Sequence, residues 1–278
     1  MAASTSVKNM AVFCDFENIA LGVRDARYDR FDMKKVLERL LLKGSIVVKK
    51  AYCDWDRYKE FKAAMHEAAF EMIEIPHVRQ SGKNSADIRM VVDALDLCYT
   101  KEHVDTFVIL SGDSDFSPLV SKLRENARNV IGVGVKNSSS DLLIANCDEF
   151  IYYDDLVRES ANKRTSRRRA QPKQPAAAAQ SKAKTSQEKT PQDRRQEAFD
   201  LLETTLEALI AERGEEERIW GSMIKQALKR RMPGFSESYY GFTSFSELLE
   251  EAAKRGIVKL TPDEKSGGHI VRLPSQTA

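Results

Sequence analysis

The feature that most constrains this chain is an apolar run of strand length that ends in an acid, used three times. Met10-Ala-Val-Phe-Cys14 closes on Asp15, Ser45–Cys53 closes on Asp54, and Thr106–Leu110 runs through Ser111 and Gly112 into Asp113. Near-continuous apolar strands are those buried on both faces, as parallel sheets require. Helical spacing separates them, over residues 33–43, 57–70, 86–99, 117–126 and 138–145, and further short strands are expected at 72–75, 130–135 and 149–153. The stretch between Asp15 and Met33 reads as a loop. Strand and helix alternating in this way predict an α/β fold, a mostly parallel sheet with helices on both faces.

Such a sheet gathers its site at the carboxyl ends of its strands. Asp15, Asp54 and Asp113 each follow the last apolar residue of a strand. Asp87 opens a helical pattern and can face the same edge, with Asp115 close by. Carboxylates collected on one edge repel, and a divalent ion that favours oxygen ligands, Mg²⁺ or Mn²⁺, relieves the repulsion. The expectation is a metal site built from Asp15, Asp87 and Asp113, with Asp115 assisting, while Asn18 also suits a loop. Each aspartate has a plainer reading as a helix cap or turn residue, and Asp115 also suits support of a helix start at Ser117, which with Pro118 reads as a cap and first-turn pair.

Other phosphate chemistries fit poorly. The chain has no G-x-x-x-x-G-K-[ST] loop, and Gly132-Val-Gly134 lacks the third glycine of a dinucleotide fingerprint. Asp15-Phe16-Glu17 is not the Asp-x-Asp of aspartyl-phosphate enzymes. His66, His77, His103 and His269 are scattered, and Cys14, Cys53, Cys98 and Cys147 form no C-x-x-C pair, so the cysteines read as reduced core residues. No apolar run approaches the roughly 20 residues of a membrane helix, and the N-terminal residues lack a signal-peptide pattern, so the expectation is a cytoplasmic protein without membrane contact.

Charge divides the chain. Residues 158–195 carry 12 Lys or Arg against 3 Asp or Glu, a local +9 in a chain whose net charge is +2, which leaves −7 for the remainder. This basic, Pro-, Gln- and Ala-rich stretch has few core-forming side chains and reads as a disordered tether with affinity for a polyanion. Helical periodicity resumes from Gln196 through Phe199, Leu202, Leu206, Leu209 and Ile210. A second helix is capped by Ser222 and a third, residues 245–254, by Ser244. Strands at 257–260 and 269–273 then flank Lys265-Ser-Gly-Gly, which completes a winged-helix pattern.

These motifs carry two resemblances. Val12-Phe-Cys-Asp15-Phe-Glu-Asn18, Lys83-Asn-Ser-Ala-Asp87 and Ser111-Gly-Asp113-Ser-Asp115-Phe116 resemble, in order, the three motifs of the NYN domain, a LabA-like branch of the PIN-like nucleases. The resemblance covers residues 8–157. It implies a Rossmann-like sheet of order 3-2-1-4-5 and Mg²⁺- or Mn²⁺-dependent RNA cleavage. It also places the metal-binding acids on Asp15, Asp87 and Asp113 and a supporting amide on Asn18. Some members carry an acid at the position of Asp54, and some are inactive. Residues 196–274, with Trp220-Gly-Ser-Met-Ile-Lys-Gln-Ala-Leu228 and Phe245-Ser-Glu-Leu-Leu249, are similar to the OST-HTH or LOTUS domain. That resemblance implies RNA binding, including G-rich RNA, and in some relatives a protein partner. Arg79 and Lys83 before the Asp87 helix, and Lys225, Lys229, Arg230 and Lys265, are the candidate phosphate contacts. Tyr239 and Tyr240 suit either base stacking or a core. The function expected is a metal-dependent ribonuclease that engages RNA through its LOTUS domain. The alternative is a catalytically silent RNA-binding adaptor or a protein-interaction scaffold.

Overall fold

A computed structural model describes residues 8–75, 85–160, 190–213, 218–262 and 268–274. Arg79, Lys83, Lys265 and most of the expected tether lie outside the described residues. The chain divides into two units between Arg158 and Glu159.

The first unit runs β1 (Asn9–Asp15), α1 (Phe16–Asp25), α2 (Met33–Leu41), β2 (Ser45–Cys53), α3 (Lys59–Glu67), β3 (Glu71–Glu74), α4 (Ser85–Thr100), β4 (Thr106–Leu110), α5 (Ser117–Glu125), β5 (Asn129–Gly134), α6 (Asp141–Asn146) and β6 (Glu149–Tyr152). The strands form one sheet in the order β3-β2-β1-β4-β5-β6, and every neighbouring pair is parallel. The five-strand order expected from the resemblance is therefore present, extended by β6.

β1 and β4 are central, and all their residues but Asn9 are buried, which is why both carry unbroken apolar runs. Met10, Val12 and Cys14 pack with Val108 and Leu110 against one helical layer, where Phe16, Val36, Leu40 and Trp55 also lie. Ala11 and Phe13 pack with Phe107 and Ile109 against the other, where Met90, Ala94, Leu119 and Leu123 lie. The alternation is the two-residue period of a strand. All four cysteines are free and buried.

Two expectations are corrected in this unit. No loop follows Asp15: α1 begins at Phe16, because the Asp15 carboxylate accepts the Asn18 N–H and caps the helix. Phe16, Ile19 and Val23 then turn inward at helical spacing. Ser117 is not the cap of α5; Phe116 occupies that position and offers no side-chain bond. Asp113 instead caps the short 3-10 turn Ser114–Phe116 that leads into α5.

The second unit comprises α7 (Pro191–Arg213), α8 (Gly221–Arg231), α9 (Phe245–Lys254) and an antiparallel pair, β7 (Lys259–Pro262) and β8 (His269–Arg272). Phe199, Leu202 and Leu206 of α7 meet Ile224 and Leu228 of α8, Leu248 and Leu249 of α9 and Val271 of β8 in one core. Trp220 bridges to Ile270, tying the start of α8 to the strand pair. This is the helix-turn-helix with a wing that the sequence predicts. Trp220, not Ser222, is the N-cap of α8, whereas Ser244 does cap α9 by accepting the Glu247 N–H.

Candidate functional site

The carboxyl ends of β1 and β4 lie side by side at the centre of the sheet, with Cys14 registered against Leu110. The chain leaves β1 toward α1 and leaves β4 through Ser111-Gly112-Asp113, so both exits open on the same edge. Asp15 is the anchor. The residue is 8% exposed, Ser111 Oγ donates to Oδ2 at 3.0 Å, and the Asn18 N–H donates to Oδ1 at 3.3 Å. Burial pushes the carboxyl up to about 7. The two hydrogen bonds pull the other way, and the charges of Asp87 and Asp113 add to the rise.

Asp87 lies in the first turn of α4. Its carboxyl is also raised, by burial first and then by the charges of Asp113, Asp115 and Glu17. Asp15, Asp87 and Asp113 thus share one electrostatic neighbourhood, and Asp115 and Glu17 border it. Arg57 meets Glu17 at the rim with a 3.2 Å ion pair. Asp54 stands at the end of β2, where its carboxylate accepts the Asp56 N–H at 3.2 Å and caps its own turn.

The loop after β4 is held from several sides. The Asn18 side-chain oxygen accepts the Gly112 N–H at 2.8 Å, so this amide fastens the Asp113 loop while its backbone fastens Asp15. The Ser111 hydroxyl both donates to Asp15 and accepts the Asp113 N–H at 3.2 Å. The Asp115 N–H in turn donates to Asp113 Oδ1 at 3.0 Å. Gly112 is required by proximity, since a Cβ there would lie 2.2 Å from the Ser138 carbonyl oxygen. Ser111 and Gly112 fall inside the third motif, but the sequence assigns them no role of their own. The signal available was their position between a central strand and its acid.

The donor chemistry fits a hard divalent cation: three carboxylates bring oxygen ligands and a charge that no buried cation neutralises among the described residues. As the side chains stand, no three His, Cys, Asp or Glu among the described residues are gathered around one ion position.

Residues 9–154 match the family described as the NYN domain. The chain belongs to the NYN-domain family. Residues 198–268 match the OST-HTH/LOTUS domain, so an NYN domain is followed by a LOTUS domain. Over 150 residues the chain is 27% identical to meiosis regulator and mRNA stability factor 1 of Xenopus tropicalis, a match covering 54% of this chain and 9% of that protein. Over 112 residues it is 28% identical to an uncharacterized protein of Methanocaldococcus jannaschii, covering 40% of this chain and 43% of the relative. The chain therefore spans less than half the length of either curated relative. A crystal structure of a Vibrio parahaemolyticus protein of unknown function aligns with a TM-score of 0.49 and 26% identity, over 55% of this chain and 97% of that one. No helix among the described residues is long and apolar enough to cross a membrane.

In the LOTUS domain the candidate phosphate contacts separate. Lys225 is committed to Glu237 at 2.8 Å, and Lys229 adds its charge to the same carboxylate. Arg230 is exposed near the end of α8. Tyr240 is buried and stacks on Phe235, and Tyr239 packs edge-on against Tyr240 beneath the Arg194 guanidinium, so this pair serves the core.

Proposed function

We propose that the protein is a metal-dependent ribonuclease whose NYN domain hydrolyses RNA phosphodiester bonds and whose LOTUS domain retains the RNA. The observation that carries this reading is the Asp15 carboxyl. It is buried, held by two hydrogen bonds, and pushed to about 7 at an edge that it shares with Asp87 and Asp113. A buried acid pushed this far, with the Asp87 carboxyl also raised beside it, marks a site at which charge is to be met by a ligand.

Asp15, Asp87 and Asp113 would hold Mg²⁺ or Mn²⁺, with Asp115 beside them. The ion would supply Lewis-acid stabilisation of charge on the phosphate and lower the pKa of water at neutral pH. Ser111 and Asn18 set the relative positions of Asp15 and the Asp113 loop, so neither acid must be ordered when substrate arrives. Arg57 lies at the rim, where its charge suits an approaching phosphate. Among the LOTUS candidates Arg230 faces solvent and would meet the RNA backbone, with Lys265, Arg79 and Lys83 as partners outside the described residues. The name of the Xenopus relative, an mRNA stability factor, agrees with RNA as substrate.

One observation favours a second reading. The acids are not drawn around a common point among the described residues, which suits an adaptor that binds RNA without cutting it. Cleavage of labelled single-stranded and structured RNA in Mn²⁺, Mg²⁺ or EDTA separates the two. Cutting that needs metal and disappears in both Asp15→Asn and Asp113→Asn, with RNA still bound, supports the nuclease. RNA binding with no cutting under any condition supports the adaptor.

A further inference from the structure

Helix α4 carries Asp87 on its first turn and then turns a different face outward. Ile88, Val92 and Tyr99 on that face are 62%, 56% and 62% exposed. At 3.6 residues per turn these three fall with Ser85, Arg89 and Asp96 in a stripe about 100° wide. Within it the residues sort by flank. Ile88, Val92 and Tyr99 form one side, and Arg89 and Asp96 the other.

We propose that this face pairs with the same face of a second copy, the two α4 helices running antiparallel about a twofold axis. The argument is self-complementarity. A dyad lying between two antiparallel helices lays each flank against the same flank of the partner, with the direction reversed. With the dyad at the midpoint of Ser85–Thr100, residues whose numbers sum to about 185 meet. Arg89 then meets Asp96 of the second copy, and Asp96 meets Arg89, so one opposite-charge pair is made twice. On the other flank Val92 lies next to Val92 of the second copy. Ile88 comes within about 3 Å, along the axis, of the level of Tyr99. Charges meet charges and apolar groups meet apolar groups in a single arrangement.

Arg89 is available for this exchange. Its present partner is Asp93 at 3.0 Å, but Asp93 also accepts from the Tyr52 hydroxyl at 2.8 Å and has Lys50 at 3.5 Å. Asp93 therefore keeps two partners if the Arg89 guanidinium swings across. A 16-residue helix is about 24 Å long, so the contact is smaller than the roughly 800 Å² per partner of a standard interface. The association is accordingly weak, with a dissociation constant on the order of micromolar or above.

Sedimentation of the full, nuclease-treated chain over roughly 5–500 µM tests the proposal across that range. The wild type should pass reversibly from monomer to dimer. Asp96→Arg sets two arginines against each other and should raise the dissociation constant about tenfold or more. Adding Arg89→Asp to it re-forms both pairs in exchanged positions and should recover most of the loss. Val92→Glu should abolish the dimer, with circular dichroism confirming that each variant stays folded. A wild type that remains monomeric throughout leaves the face to some other occupant and overturns the proposal. A dimer indifferent to Asp96→Arg and Val92→Glu uses another surface and overturns it equally.

Discussion

Replacing Asp15 with Asn should stabilise the ion-free protein at alkaline pH and cost it about 1 kcal/mol in acid, where only a rearranged hydrogen bond separates the two. Burial, reinforced by Asp87 and Asp113, moves the Asp15 carboxyl from 3.8 to about 7. At about 1.4 kcal/mol per tenfold, that difference amounts to about 4 kcal/mol. The fold prefers the protonated acid, so the contribution is fully present below 3.8 and is lost as pH rises through about 7. The amide is neutral at every pH and escapes the loss. It gives some of this back, because Ser111 Oγ, which now donates to Asp15 Oδ2, would face an NH₂ group and have to accept from it. One rearranged hydrogen bond costs about 1 kcal/mol, which leaves a net gain of about 3 kcal/mol above neutrality. Urea unfolding in EDTA at about pH 4, 6 and 8 measures this. Trp55, buried against Phe16, reports the NYN domain alone once the second tryptophan, Trp220, is replaced by Phe. Mn²⁺ should then reverse the ranking, stabilising wild type more than Asp15→Asn, since an ion that binds only the folded state stabilises it. A variant destabilised by the same amount at all three pH values would refute the reasoning, because burial would not then be holding a proton on Asp15.

Three further substitutions probe the scaffold. Gly112→Ala forces a Cβ to 2.2 Å from the Ser138 carbonyl oxygen and should cost about 1–3 kcal/mol, read as a lowered midpoint of the Trp55 transition. Asn18→Ala removes the acceptor of the Gly112 N–H; a loss of about 1–2 kcal/mol is expected, together with a larger drop in metal-dependent RNA cleavage than in RNA affinity. Lys225→Ala removes the 2.8 Å ion pair of Glu237 in the LOTUS domain, leaving it the charge of Lys229, and should cost about 1–2 kcal/mol near neutral pH, followed by Trp220 fluorescence. Burial pushes the Glu237 carboxyl up, but the hydrogen bond and charge of Lys225 bring it below its ordinary 4.5. The stabilisation is therefore present above 4.5 and lost as pH falls through the lowered value, so the difference between wild type and Lys225→Ala should shrink on acidification.

The elements legible in the sequence are those whose burial is uniform. β4 spans Thr106–Leu110 as read because both of its faces are covered and nothing polar interrupts it. α9 spans Phe245–Lys254 as read because Ser244 and Gly256 mark its ends. α1 was missed because the aspartate and asparagine that open it read as loop residues, and Gly22 interrupts its apolar spacing. That glycine is there because α1 packs closely on the turn at 136–138, where a Cβ would lie 2.4 Å from Ser138 Oγ. The placement of Asp15, Asp87 and Asp113 at one edge followed from topology alone. The supporting bonds did not, because they join residues far apart in the chain: Ser111 to Asp15 across 96 positions and Gly112 to Asn18 across 94. Lys225 was read as a free cation for the same reason, since its partner Glu237 lies beyond the end of α8 and only the packed domain brings the two together.

The most direct test of the acidic edge as a metal-dependent ribonuclease site is sulfur substitution at the scissile phosphate. An RNA with a non-bridging phosphorothioate would be offered to the purified chain with Mg²⁺ or with Mn²⁺. Mg²⁺ binds sulfur poorly and Mn²⁺ tolerates it better, so an ion that touches the phosphate makes the reaction depend on that choice. The account predicts a strong loss of cleavage in Mg²⁺, recovery in Mn²⁺, and no cleavage of either RNA by Asp113→Asn. Cleavage that is indifferent to sulfur and persists in EDTA would contradict it, as would the absence of cleavage of the unmodified RNA in both metals.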